Sequence, residues 1–335
     1  MQALGISDLL TSLRNRRQNS FLNSELNRLT LEISSGKRSD AINNSSTNVS
    51  KISSLQNSIS LLGSYQETAD TLALEQKIKS DAVETIASSV EGLGASLLSS
   101  TFGGFAVLDP LLKDAETLFD SSIGLLNTRV GEKYVFSGEN STTPPLASSD
   151  DIIIELQTTT LGITDPTLFW NSVDEWFTQT GNGFDSFAYQ GGQGQQTKIS
   201  VASTVSVDDG ALADSSAFRE TLRDLSVILL VDTGYFGGSD VDKLQLIEKA
   251  STSLISSQKK LVEVGADIGR LQSLIEAANA ANAAEDFSIK KALNEITNVD
   301  VFEAASELES IQTQLESLYL VTAKTSRLSL SQYLR

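Results

Sequence analysis

Apolar residues recur at alternating spacings of three and four near both ends of the chain. Towards the C-terminus, Val301, Ala304, Leu308, Ile311, Leu315 and Leu318 draw one stripe down a helix, while Gln312, Gln314, Glu316 and Lys324 fall off it. Near the N-terminus, Leu22, Leu26, Leu29 and Ile33 repeat the pattern, and Gly36 follows Ser34-Ser35 as a left-handed stop. Each stripe is too narrow to be a globular core. The spacing therefore predicts that the two ends pair as a coiled coil, with the rest of the chain inserted between them.

The middle of the chain extends this pattern. Lys37 to Asn44 is polar and reads as a break. A second seam then runs through Ile52, Leu55, Ile59, Leu62, Ala69 and Ala73 to Val83, Ile86, Val90, Leu93 and Leu97. No proline interrupts Ala41 to Ser100, so about 60 residues can form a rod of roughly 90 Å. Phe102-Gly103-Gly104-Phe105 ends it. Asp109-Pro110 offers an N-cap and a first-turn proline for a helix carrying Leu111, Ala115, Leu118, Ser122 and Leu125.

Gly131 to Gly138 is a short strand-like run between glycines, and Pro144-Pro145 follows. Ile152-Ile153-Ile154 reads as a strand, and Phe169 to Phe177 as a short helix after Asp165-Pro166. Ile199, Val201, Val205 and Val207 read as one half-buried strand ended by Asp208-Asp209-Gly210. Helix returns from Ser215 to Val231 and from about Asp240 to Ala284. There Leu244, Ile247, Leu254, Leu261, Ile268 and Ile275 share a register widened by Val264, Leu271 and Ala278. A bend is expected around Ala278 to Asn282, before the terminal helix.

The predicted fold class is mainly α with a β-containing insert. Residues 1–40 and 296–335 form the terminal coiled coil, and 41–143 and 214–295 a long helical bundle. Residues 144–213 form a small mixed α/β, β-rich outer domain. Aromatic residues gather there, with Phe169, Trp170, Trp176, Phe177, Phe184, Phe187 and Tyr189 in one span that promises a compact core.

Charge and composition narrow the function. The formal net charge of −18 argues against a nucleic-acid partner. Only the start is basic: Arg14, Arg16, Arg17, Arg28, Lys37 and Arg38 stand against Asp8, Glu25 and Glu32. That face is expected to complement Asp300, Glu303, Glu307 and Glu309. The chain has no Cys and no His, which removes disulfides, catalytic triads and imidazole zinc sites; no cofactor or metal is expected. No apolar run reaches the roughly 18 residues that span a bilayer, so no membrane partner is expected. Met1 to Asp8 lacks the features of a cleavable signal, so export, if it occurs, takes another route.

Catalytic templates find little. Gly191-Gly192-Gln193-Gly194 lacks the Gly-Lys-Ser/Thr of a phosphate loop. Ser149-Asp150-Asp151 and Asp208-Asp209-Gly210 lack the alternating carboxylates of a calcium loop. An acidic enzyme or sugar-binding module in residues 145–213 stays open on the residues alone, as does a cytoplasmic coiled-coil scaffold. The chemistry best supported is burial of aliphatic seams between helices and between subunits, each buried Leu or Ile contributing roughly 1.5–3 kcal/mol.

Several motifs resemble the flagellin superfamily of bacterial axial proteins. Leu29-Thr30-Leu31-Glu32-Ile33-Ser34-Ser35-Gly36-Lys37-Arg38 is similar to the family's N-terminal signature. Asp40-Ala41-Ile42-Asn43-Asn44 departs from the Asp-Asp-Ala or Asp-Asp-Pro run that usually follows. Val264-Gly265-Ala266-Asp267-Ile268-Gly269-Arg270-Leu271 is similar to the Leu-Gly-Ala…Arg-Leu stretch near its C-terminus. Two segments resemble the hook–filament junction subfamily of hook-associated proteins. They are Gly131-Glu132-Lys133-Tyr134-Val135-Phe136-Ser137-Gly138, and the ending Leu328-Ser329-Leu330-Ser331-Gln332-Tyr333-Leu334.

The resemblance implies a non-enzymatic structural protein, exported unfolded through the flagellar type III apparatus into the extracellular flagellum. Its partners would be copies of itself in a ring, another hook-associated protein, flagellin and an export chaperone. The rival within the superfamily is flagellin, the filament subunit. Leu22, Leu26, Leu29, Ile33, Val301, Leu308, Ile311, Leu315, Leu318, Leu328, Leu330 and Leu334 are the expected subunit-interface residues. Ser35, Gly36, Arg38, Tyr134, Phe136, Gly138 and Arg270 are the motif residues.

Overall fold

The computed structural model describes residues 2–39, 46–192 and 198–333, with side chains over 10, 12–39, 49–192 and 198–325. The fold is mainly α. Long helices α1 (Gln2–Ser35), α2 (Ser46–Ser100), α7 (Asp240–Thr297) and α8 (Val301–Tyr333) bracket shorter ones: α3 (Asp109–Leu126), α4 (Ser149–Thr159), α5 (Pro166–Thr178) and α6 (Ser216–Asp232). Two antiparallel hairpins supply the strands: β1 (Arg129–Val130) with β2 (Lys133–Tyr134), and β3 (Ile199–Ser200) with β4 (Ser206–Val207). The chain divides into two compact units, Met1–Leu62 with Ala284–Arg335, and Gly63–Ala283.

In the second unit α2 and α7 run antiparallel in steady register. Asn279 donates to Asp70 at 2.7 Å, Gly265 faces Val83, and Gly94 lies against Leu254 and Ile255. The seams read from sequence close this face: Val83, Ile86, Val90, Leu93 and Leu97 are buried with Ile247, Leu254, Leu261 and Ile268. Helix α6 passes through the middle, buried on every side from Thr221 to Val231, as expected of a helix with no solvent face. It packs on α3, α4 and α5. Residues 144–213 share this core through Ile152, Leu156 and an aromatic nest in which the Phe177 ring lies 4.7 Å from Trp176 and 5.7 Å from Phe184.

Local capping explains where several elements start. Asp165 Oδ1 accepts from Thr167 and Leu168 N–H, both at 2.9 Å, with Pro166 in the first turn of α5. Asp109 lies inside the first turn of α3 and Leu108 occupies the cap without a side-chain bond, so the N-cap expected at Asp109 falls one residue earlier.

Three sequence expectations are corrected. Ile152-Ile153-Ile154 is helical: Ser148 caps α4 by accepting from Asp151 N–H at 3.2 Å, and Ile152 and Leu156, four apart, turn into the core. The alternation from Ile199 to Val207 is a hairpin, because the N–H groups of Val201 and Ala202 both donate to the Val205 carbonyl and fold the run back. The expected bend at Ala278–Asn282 is absent: α7 continues to Thr297, and Asn282 is buried with its amide donating to Val201 O at 2.8 Å. The strand-like run from Gly131 narrows to β2. Its two-residue turn places Gly131 at φ +61°, a conformation that favours glycine.

The core also holds charges that periodicity does not reveal. Arg223 donates to Asp224 at 2.7 and 2.9 Å, to Asp174 at 2.5 Å and to Ser253 at 2.6 Å. Ser257 closes the network on Asp224 at 3.1 Å. Burial disfavours the charged guanidinium, yet Asp224 and Asp174 outweigh it and hold Arg223 protonated. Lys79 is fully buried and donates to the Asp209 carbonyl at 2.5 Å, pinning the loop after β4 onto α2.

Burial pushes the Asp224 carboxyl up to about 6, against the pull of Arg223. Its unfolded value is about 3.9. A carboxyl raised on folding contributes stability that is full below the unfolded value and is lost as pH climbs through the folded one. The stability difference between the unaltered chain and Asp224→Asn is therefore expected to move against the unaltered chain between about pH 4 and 6, then level off. Urea titrations at stepped pH read this directly. A difference independent of pH would contradict it.

Candidate subunit interface

The first unit is organised by α1 and α8, which pack antiparallel on each other. Their joined ends are fixed by backbone chemistry. Gly36 takes φ +69°, where a side chain would be strained, and its N–H returns to Glu32 O at 2.8 Å. Lys37 then bridges Asn298, Arg38 N–H reaches Thr297 O at 2.8 Å, and Val299 N–H reaches Gly36 O at 3.1 Å. Asp300 caps α8 by accepting from Phe302 and Glu303 N–H at 2.9 and 3.2 Å. The terminal helix thus begins at Val301.

Between the two helices Leu22, Leu29, Ala304 and Leu315 are buried, and Leu26, Ile33, Leu308, Ile311 and Leu318 are half-buried. Val301 is exposed in the first turn of α8. The side chains of Leu328 and Leu330, and all of Leu334, lie outside the described residues.

One participant escaped the apolar pattern. Glu32 is buried at the root of the pair, accepting from Arg28 at 3.0 Å and from Ser39 N–H at 2.8 Å. Arg28 also binds Glu25 and reaches Glu307 of α8 at 4.0 Å. Among the described residues the expected complement between basic α1 and acidic α8 is made at this level. The Glu25 and Glu32 carboxylates together outweigh burial and raise the Arg28 pKa further.

The pair carries a second apolar face, turned outward. Leu10, Leu13, Phe21 and Leu31 are all exposed, Phe21 by 61%; at 3.6 residues per turn they fall within about 80° of one another, well away from the Leu22–Leu29 seam. On α8, Phe302 is 86% exposed and Leu320 66%. They share one line roughly opposite the buried stripe. Exposed apolar residues gathered on one face in this way are characteristic of protein interaction surfaces.

The other motif residues serve the second unit. Phe136 is buried with its ring edge-on to Phe218 at 5.8 Å, and Tyr134 N–H donates to Ser141 O at 2.7 Å. Gly138 lies under Leu212. Arg270 is exposed and 3.7 Å from Asp267, and Ser35 is exposed at the end of α1. Among the described residues no group of three acidic, His or Cys side chains is placed to hold a metal, and no helix is long and apolar enough to cross a membrane.

Residues 244–334, from α7 through α8, match the family model of the bacterial flagellin C-terminal helical region. Comparison with curated protein sequences gave no significant match. Among solved structures the fold is similar to that of a flagellar hook-associated protein from Vibrio parahaemolyticus, with TM-score 0.54 and 13% identity, over 76% of this chain and 99% of that one. FlgL of Xanthomonas campestris aligns with TM-score 0.47 and 12% identity, over 72% and 99%. FlgL of Bacillus cereus aligns with TM-score 0.40 and 12% identity, over 70% and 99%. The region that supplies the terminal helix and its outward apolar face is thus similar to the C-terminal helical region of bacterial flagellin.

Proposed function

We propose that the chain is a structural, non-enzymatic subunit of the bacterial flagellum that forms the ring joining hook to filament. The observation that carries this reading is the outward apolar face of the α1–α8 pair, whose α8 half lies inside the flagellin-type stretch 244–334. Neighbouring subunits bury this face through Leu13, Phe21 and Leu31 of α1 and Phe302 and Leu320 of α8, while the inner seam of Leu22, Leu26, Leu29 and Ile33 holds together the pair that presents it.

The ring's neighbours in this reading are a second hook-associated protein on the hook side and flagellin on the other. The chain reaches its extracellular place through the flagellar export apparatus, unfolded and without a cleaved signal, with a chaperone holding α8 beforehand. Residues 144–213 are the outermost part of the subunit.

The match to a flagellin model favours one alternative, the filament subunit itself. Deleting the gene separates the two. The junction reading expects cells without filaments that release flagellin into the medium. Loss of filaments with no flagellin released, while the other junction proteins still cap the hooks, would make the chain the filament subunit.

A further inference from the structure

The terminal pair separates its charges along its length. Around the root of α8, Phe302, Glu303, Ser306, Glu307 and Ser310 line an open groove of about 490 Å³. Phe302 forms its apolar part, and Glu303 and Glu307 its acidic edge. The outward stripe of α1 has the converse character: Leu13 and Phe21 are exposed on it, with Arg14 and Arg17 beside them. Both surfaces have one apolar strip flanked by charge, of opposite sign.

The two cannot meet within one chain. Arg28 stands opposite Glu307, so at 1.5 Å per residue Arg14 and Arg17 lie roughly 16–21 Å further along the pair. That is about twice the 8 Å screening length at physiological salt. Among the described residues the ion pairs of α1 all involve Arg28. The basic stretch is left for another molecule.

We infer that the acidic groove of α8 receives the Leu13–Phe21 stretch of α1 from a second copy of this chain. Arg14 and Arg17 face the neighbour's Glu303 and Glu307, and Phe302 packs on the neighbour's Leu13 and Phe21. The surfaces differ, so the contact is head-to-tail, and such contacts close into a ring when the rotation between copies divides a full turn. The inference rests on the assembly reading above for its setting, and adds which surfaces mate and in which order.

The absence of native cysteine allows a positional test. In the full chain, Leu13→Cys with Ser306→Cys places two thiols about 24 Å apart along one pair, beyond reach of an internal disulfide. Mild oxidation at low ionic strength is expected to give a ladder of dimers, trimers and larger species on a non-reducing gel, while either cysteine alone gives no ladder. Arg14→Glu/Arg17→Glu in the double-cysteine chain is expected to abolish the ladder, as is Glu303→Lys/Glu307→Lys. An equal mixture of the two reversed chains is expected to restore it, which separates lost recognition from lost folding.

No ladder from the double-cysteine chain, a ladder indifferent to charge reversal, or no restoration in the mixture would each overturn the inference. These outcomes are read on purified protein. A gene deletion pointing to flagellin would change the assembly's name and leave the mating intact, whereas a failed ladder with the junction phenotype present would strike the mating alone.

Discussion

Replacing Arg223 with leucine is expected to lower the stability of the second unit by about 3–5 kcal/mol, because it leaves a buried carboxylate without its cation. Asp224 is fully buried, and its other side-chain partners are the hydroxyls of Ser253 and Ser257. Arg223 is also the link that draws Asp174 of α5 and Ser253 of α7 towards α6. The paired change Arg223→Leu/Asp224→Leu is expected to recover most of the loss, since two apolar side chains then fill the space and no ion is stranded. Asp174→Asn is expected to cost much less, its side chain being 36% exposed and able to find water. Urea unfolding of the three variants tests this ordering. A paired variant as unstable as Arg223→Leu alone would show that the network acts through shape rather than charge.

Leu29→Asp is expected to open the terminal pair altogether. Leu29 is 1% exposed in a seam only one residue wide. Its truncation to alanine would already cost roughly 2–5 kcal/mol, and a carboxylate adds the penalty of an unpaired buried charge. A pair of helices has little stability to spare against that loss. Limited proteolysis is expected to cut within residues 1–35 and 301–333 of the variant while the fragment 63–283 persists, and flagella of cells making only this variant are expected to lack filaments. The exposed neighbour Leu31→Asp is expected to leave the pair resistant to protease. Equal sensitivity in both variants would mean that α1 and α8 are not held by this seam.

The sequence reached furthest where a helix buries one narrow stripe. The three-and-four spacing located α1, α2, α7 and α8, and Gly36 marked the stop that its φ of +69° now explains. It failed where short-range chemistry overruled pattern. Three isoleucines in a row suit a strand, yet Ser148 starts a helix and a four-residue spacing buries Ile152 and Leu156. Asn282 looks like a helix breaker but holds the β3–β4 hairpin through its side chain.

The buried charges were the least legible. Lys79, Glu32 and Asp224 resemble solvent-facing positions until the elements that enclose them are in place. The interface was half legible: the inner seam follows from periodicity, while the outward face of Phe21, Phe302 and Leu320 needs the helix pair to show which side is left uncovered.

The most direct test of the central claim is position. Gold-labelled antibody raised against residues 144–213 and applied to sheared flagella is expected to leave a single band between hook and filament. Label along the whole filament would make the chain the filament subunit, and intact flagella carrying no label would contradict the account.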